Sequence, residues 1–211
     1  MTARRCFVVV LLLATLSGCS FNLSLSQSPG TGATAPPCLP AEGQIGGALV
    51  LMAQSVPSAQ ELPCLRRLPE GWSVGGFSAR KGQSKMWLVV GRDNRTALTV
   101  VLKRRCDVSR LNEVQSEVAG AFRFERQVSG PPDPGVARRD PQASSGPTFR
   151  GTRIYVYPTS CLTYDYALLD APTLPVLATA IGTIDRSVVA ARVAEDSGGH
   201  LRLDPEPGRS S

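Results

Sequence analysis

Leu98, Val100 and Leu102 alternate with Thr99, Val101 and Lys103, and Leu162, Tyr164, Tyr166 and Leu168 share one face opposite Cys161, Thr163 and Asp165. A period of two sends successive side chains to opposite faces, so each segment reads as a strand with one face toward a core. Phe122 and Phe124 alternate with Arg123 and Glu125 in the same way in a strand over 122–128. Around these lie Trp72 to Ala79 and Lys85 to Val90, separated by Lys81-Gly82-Gln83-Ser84, with Gly91-Arg92-Asp93-Asn94 leading on to Ala97. Both connections carry turn residues. Met86 to Val90 is apolar throughout, which predicts a central strand covered on both faces. Arg153 to Tyr157 and Leu162 to Leu169 form a hairpin signal around Pro158-Thr159-Ser160.

Helical spacing is concentrated near the C-terminus. Leu174, Leu177, Ala178 and Ile181 fall at i, i+3, i+4 and i+7, with Pro172 and Pro175 near the start and Gly182 placed to end the helix. Asp185 caps a second helix, with Ile184 and Val189 spaced as a hydrophobic staple. Gly198-Gly199 stops it, and Leu201 to Leu203 reads as a short edge strand. Upstream, Ala48 to Met52 reads as a strand, Ser58-Ala59-Gln60-Glu61 as a capping box for a helical turn limited by Pro63, and Leu111, Val114 and Val118 as a short helix. Ser129 to Gly146, with four prolines and three glycines, is a long loop. Strands followed by helices predict the α+β class: an antiparallel sheet of about five or six strands with C-terminal helices packed on one face.

The N-terminus is a secretory signal. Arg4 and Arg5 precede an apolar run from Phe7 to Leu13, and Ser17-Gly18 supply small residues. That run falls short of the roughly 20 residues needed to span a bilayer. Leu16-Ser17-Gly18-Cys19 resembles the lipobox of bacterial lipoproteins. The resemblance implies cleavage after residue 18 and diacylglyceryl attachment at the Cys19 sulfur. It places the chain on the extracytoplasmic face of the cell membrane, with membrane lipid as its first partner. Two acyl chains give stable anchoring where one is marginal, at about 0.8 kcal/mol per buried CH₂. The organisation read from the sequence is a signal peptide over 1–18, a lipid anchor and flexible tether over 19–37, a single disulfide-stapled domain over 38–204, and a polar tail over 205–211. A coil of the tether's length spans about 24 Å.

Cys6 leaves with the signal and Cys19 takes lipid, so Cys38, Cys64, Cys106 and Cys161 remain. An even number in an exported chain reads as two disulfides, with three possible connectivities. Cys38–Cys64 is favoured because both lie just outside apolar elements. Cys106–Cys161 is favoured because one ends a strand and the other opens one. No CxxC spacing occurs and His200 is the one histidine, so no metal site and no cofactor are expected.

Loss of Arg4 and Arg5 lowers the net charge from +6 to +4, a mild excess that does not call for nucleic acid. Apart from Arg66-Arg67, the dense basic spots are Lys103-Arg104-Arg105 and Arg138-Arg139, which lie beside turns and read as solvated faces. Gly76 and Gly82 lack phosphate-loop spacing and read as a bulge and a hairpin turn. His200, between two glycines and a polar tail, is hard to hold rigidly enough for a catalytic triad. Asp165 stands among Tyr155, Tyr157, Tyr164 and Tyr166, an arrangement that reads as cross-strand packing. No catalytic residue is assigned. The expected function is a non-catalytic binding or accessory module of the cell envelope, with an envelope protein or wall polymer as partner. The alternatives are a carrier of a lipid or other apolar ligand and, third, an enzyme.

Leu62-Pro63-Cys64, Gly71-Trp72 and Cys106-Asp107-Val108-Ser109 resemble the corresponding stretches of lipoproteins of high-GC Gram-positive bacteria. That similarity covers most of residues 38–204 and implies no activity. Pro69-Glu70-Gly71-Trp72 is similar to the start of PsbP-like domains, which implies an antiparallel α+β sheet.

Overall fold

The computed structural model describes residues 36–38, 46–129 and 149–204. The expected signal, Cys19, the expected tether up to residue 35, the expected loop from residue 130 to 146 and the expected tail from 205 lie outside them. The described chain is mainly antiparallel sheet with three helices. Its strands are β1 (Glu61–Leu65), β2 (Trp72–Arg80), β3 (Gln83–Val90), β4 (Arg95–Lys103), β5 (Asn112–Val114), β6 (Phe122–Ser129), β7 (Phe149–Val156), β8 (Cys161–Leu168) and β9 (Ile181–Asp185). Its helices are α1 (Gly47–Ser55), α2 (Thr173–Ala180) and α3 (Arg186–Asp196). Seven strands form one sheet in the order β2-β3-β4-β8-β7-β6-β5, and β1 pairs with β9 in a separate ribbon. The sheet is thus larger than the five or six strands expected. The addition is the three-residue edge strand β5, too short to show a period, while the β1–β9 pair forms a second sheet of its own.

The core face of the large sheet follows from the alternation. Leu98 lies opposite Tyr166, Val100 opposite Tyr164 and Leu102 opposite Leu162, while Met86 and Leu88 continue the rows onto β3. Met86, Leu88, Leu98, Val100, Leu102 and Leu162 are all buried. Helix α1 lies against β2 and β3 and touches α3, and both C-terminal helices meet β9. Arg186 is buried at the start of α3, where its guanidinium donates to the Ala53 and Asp204 carbonyls and ties three segments together. Asp185 caps α3 by accepting from the Ser187 N–H at 2.6 Å, and both staple residues, Ile184 and Val189, are buried.

Five local expectations give way to packing. The run Ala48 to Met52 belongs to α1 rather than to a strand, because burial of Leu49, Met52 and Ala53 follows a helical period that a continuous apolar run conceals. Ser58 to Glu61 opens no helix. Glu61 begins β1, and Pro63 is tolerated there because β9 pairs with one edge of β1 only, and Pro37 bridges the other edge at Leu65, two residues beyond the proline. The segment over 111–118 forms no helix either, since Asn112 to Val114 pair with Arg123 to Glu125 at the sheet edge. Gly182 does not close α2 in a left-handed turn. The chain passes directly into β9, and the space beside Gly182 is tight, for a Cβ there would lie 2.8 Å from Arg66 Nε and 3.0 Å from Cys38 Sγ. Leu201 to Leu203 pairs with no described strand, although Leu203 is buried.

Strand β3 also departs from expectation. Ser84, Met86 and Leu88 are buried, but Lys85 and Trp87 on the opposite face are partly open. The indole of Trp87 rests on Gly75-Gly76, where a Cβ on Gly76 would come within 2.1 Å of the ring. The register shift between Val74 and Gly76 is the bulge read from the glycine pair, and Gly82 takes a left-handed φ of 83° in the following turn.

Candidate functional site

Across β4 and β8 the core face is apolar, but on β6 and β7 it turns polar. Glu125 lies opposite Arg153, which lies opposite Tyr164, and Arg123 lies opposite Tyr155, which lies opposite Leu162. Arg153 donates through Nε to Glu125 at 3.0 Å, Arg123 pairs with Glu117, and the Tyr155 hydroxyl donates to Glu117 at 2.6 Å. Tyr155 and Tyr164 meet edge to face at 5.5 Å, and Phe149 stacks on Tyr166 at 5.4 Å. Asp165 is on the other face, accepting from Thr152 Oγ1 at 2.7 Å, so the acid is separated from the phenols of Tyr164 and Tyr166 beside it in sequence. Two guanidinium groups and two carboxylates balance within this network. It holds the β5–β6–β7 end of the sheet together and leaves no net charge to recruit a ligand.

The network has a pH signature. Burial pushes the phenols of Tyr155 and Tyr157 up to about 12, aided at Tyr155 by its hydrogen bond to Glu117, and burial also raises Tyr164 and Tyr166. These are all four tyrosines of the chain. Below pH 10 they are protonated in both folded and unfolded states. Above it the unfolded chain ionises first, so stability falls as pH rises from 10 towards 12. Tyrosinate absorbance of the folded protein should therefore lag that of the urea-unfolded chain, which should titrate near pH 10. Superimposed titration curves would mean that the phenols are solvated. Glu117 behaves oppositely. Partial desolvation pushes its carboxyl up, but hydrogen bonds from Tyr155, its own backbone and Arg123 outweigh this and hold it below 4.5.

A second feature lies where β4 ends and the β7–β8 hairpin turns. There a pocket of about 380 Å³ is lined by Ser58, Arg104, Arg105, Cys106 and residues 156–161. The structure joins Cys106 to Cys161 with Cα atoms 6.1 Å apart, and Cys106 Sγ sits 3.4 Å from Thr163 Oγ1. This bridge fixes the Arg104-Arg105 wall to the Thr159-Ser160 wall. The turn is closed by the Tyr157 N–H donating to the Ser160 carbonyl at 2.9 Å. Ser160 is 2% exposed and its hydroxyl has no hydrogen-bond partner among the described residues.

The other bridge joins Cys38 to Cys64, with Cα atoms 4.8 Å apart, beside Gly182 of β9. Cys19 lies outside the described residues. His200 is exposed after α3. Among the described residues no group of three His, Cys, Asp or Glu side chains could hold a metal ion, and no helix is long and apolar enough to cross a membrane.

Arg104 and Arg105 read in sequence as a solvated face, and Ser160 as a turn residue. What marks them is position: Arg104-Arg105 precedes Cys106 and Ser160 precedes Cys161, so pairing those two cysteines brings the basic dipeptide to the hairpin turn. The chain matches no protein-family model, no curated protein and no solved structure.

Proposed function

We propose that this chain is a lipid-anchored module of the cell envelope, held at the extracytoplasmic face of the membrane through Cys19, and that it works by binding rather than by catalysis. The tether holds one domain, from residue 38 to 204, just off the bilayer. The observation that carries the binding reading is the pocket at the hairpin end. Its walls come from a strand end and a tight turn stapled by Cys106–Cys161, so the site is formed before any ligand arrives. Guanidinium and hydroxyl groups in those walls count against the alternative of an apolar carrier, which needs a dry cavity lined by hydrocarbon.

Anchoring is tested by Cys19→Ser. The variant should lose lipid labelling, and much of it should stay uncleaved or be shed. Normal membrane retention of this variant through a high-salt wash would contradict the lipobox reading. The binding reading is tested by a scan of exposed Arg and aromatic positions on variants shown to be folded. Losses of function should be partial and clustered around the pocket.

A further inference from the structure

We infer that the pocket at the hairpin end is an oxyanion site, built to hold a phosphate group between Arg104, Arg105 and the Ser160 hydroxyl. The inference deepens the binding reading and rests on it. Four observations converge. Arg104 and Arg105 are exposed and line the pocket, and neither has an ion-pair partner among the described residues. Among the described residues no carboxylate lines the walls. Glu61 bears on the Tyr157 phenol but does not line the pocket itself. The remaining polar wall residues, Ser58, Tyr157, Thr159 and Ser160, all carry hydroxyl donors. Finally, the Ser160 hydroxyl is buried without a partner, an unfavourable state that an acceptor oxygen from a ligand would relieve.

The chemistry of these groups selects the ligand. Guanidinium forks present planar pairs of N–H donors that match the oxygens of a phosphate. Two of them in a concave site raise the local concentration of anions more than the same charges on a flat surface would. The volume is near the lower end of the roughly 300–1,000 Å³ typical of ligand sites, which suits a phosphate with a small organic substituent. The disulfide links residue 106 to residue 161, one position beyond Arg105 and Ser160, and so sets the spacing of the two donor walls.

The test is calorimetric titration of the full chain in detergent with inorganic phosphate and with glycerol 3-phosphate at low salt, chloride serving as control. Saturable binding that chloride does not reproduce is expected. Arg104→Gln/Arg105→Gln should weaken it by on the order of ten-fold or more, since two charge-assisted contacts are lost. Ser160→Ala should weaken it about ten-fold or more, the worth of one hydrogen bond to a charged group. Arg104→Lys/Arg105→Lys should fall between wild type and the Gln pair, because charge is kept and the fork is lost. Unchanged urea midpoints keep these readings independent of folding.

A second arm uses phosphatidylcholine vesicles with and without phosphatidylglycerol. The anchor is common to both, so the quantity read is the loss caused by the Arg pair on the anionic vesicles. Binding of the soluble phosphates identifies a free ligand, and an effect seen with anionic vesicles alone identifies a lipid headgroup. Either result supports a phosphate site. Absence of both, or binding unchanged in the Arg104→Gln/Arg105→Gln variant, overturns it. In that case clustered losses around the pocket in the functional scan would leave the binding reading standing with another ligand, and their absence would remove both.

Discussion

Cys106→Ala/Cys161→Ala is expected to lower the free energy of unfolding by about 4 kcal/mol, the chain-entropy value for a closed loop of this size. The bridge spans 55 residues and encloses β5, β6, β7 and residues 130–148. Without it the unfolded ensemble gains the conformations that the closed loop denied it. The folded state also loses the buried sulfur of Cys161, which is 1% exposed, whereas Cys106 is half-buried. Urea unfolding should show a lower midpoint. Its denaturant dependence should be steeper, since an unlinked chain exposes more surface. The same variant should also loosen the two walls of the pocket and weaken phosphate binding. An unchanged midpoint would mean that the two cysteines are not joined in the folded protein.

Leu162→Ala should cost 2–5 kcal/mol, roughly the range for emptying a fully buried leucine site. Leu162 is 0% exposed and stands in one row of the sheet between Leu102 and Tyr155. Strands β4 and β7 are held on either side of it by continuous ladders, so the backbone has little room to close the void. Phe122→Ala makes the contrast. Phe122 is 64% exposed, and its loss should change stability by about 0.5 kcal/mol or less. Thermal or urea unfolding of the two variants checks the difference. Similar costs would mean that the core does not lie on the Leu102–Leu162 face.

These two positions also show how much the sequence disclosed. Leu162 could be assigned to a core face because β8 alternates over its whole length, and the hairpin with β7 was legible from Pro158-Thr159-Ser160. The cap and staple at Asp185 were legible because they are local devices with fixed spacing. What escaped was decided by distant partners. Helix α1 is apolar almost throughout, and only its neighbours on β2 and β3 select which side is buried. The ribbon of β1 and β9 joins segments more than a hundred residues apart, so neither strand carries its own signature. Arg123, Glu125 and Arg153 alternate as outward residues of edge strands would, yet they face one another and Glu117 across the core face. The pocket was hidden for the same reason, since its walls meet only when Cys106 reaches Cys161.

The claim that this chain works by binding at the hairpin end is tested most directly by complementation of a deletion strain with variants shown to be folded and anchored. Arg104→Gln/Arg105→Gln should fail or be strongly impaired. Arg80→Gln, an exposed charge at the β2–β3 turn, and His200→Ala, an exposed residue beyond α3, should restore function fully. The contrary result would be full complementation by the Arg104→Gln/Arg105→Gln variant, together with complete loss from a single folded variant of a serine, an acid or His200 elsewhere in the chain.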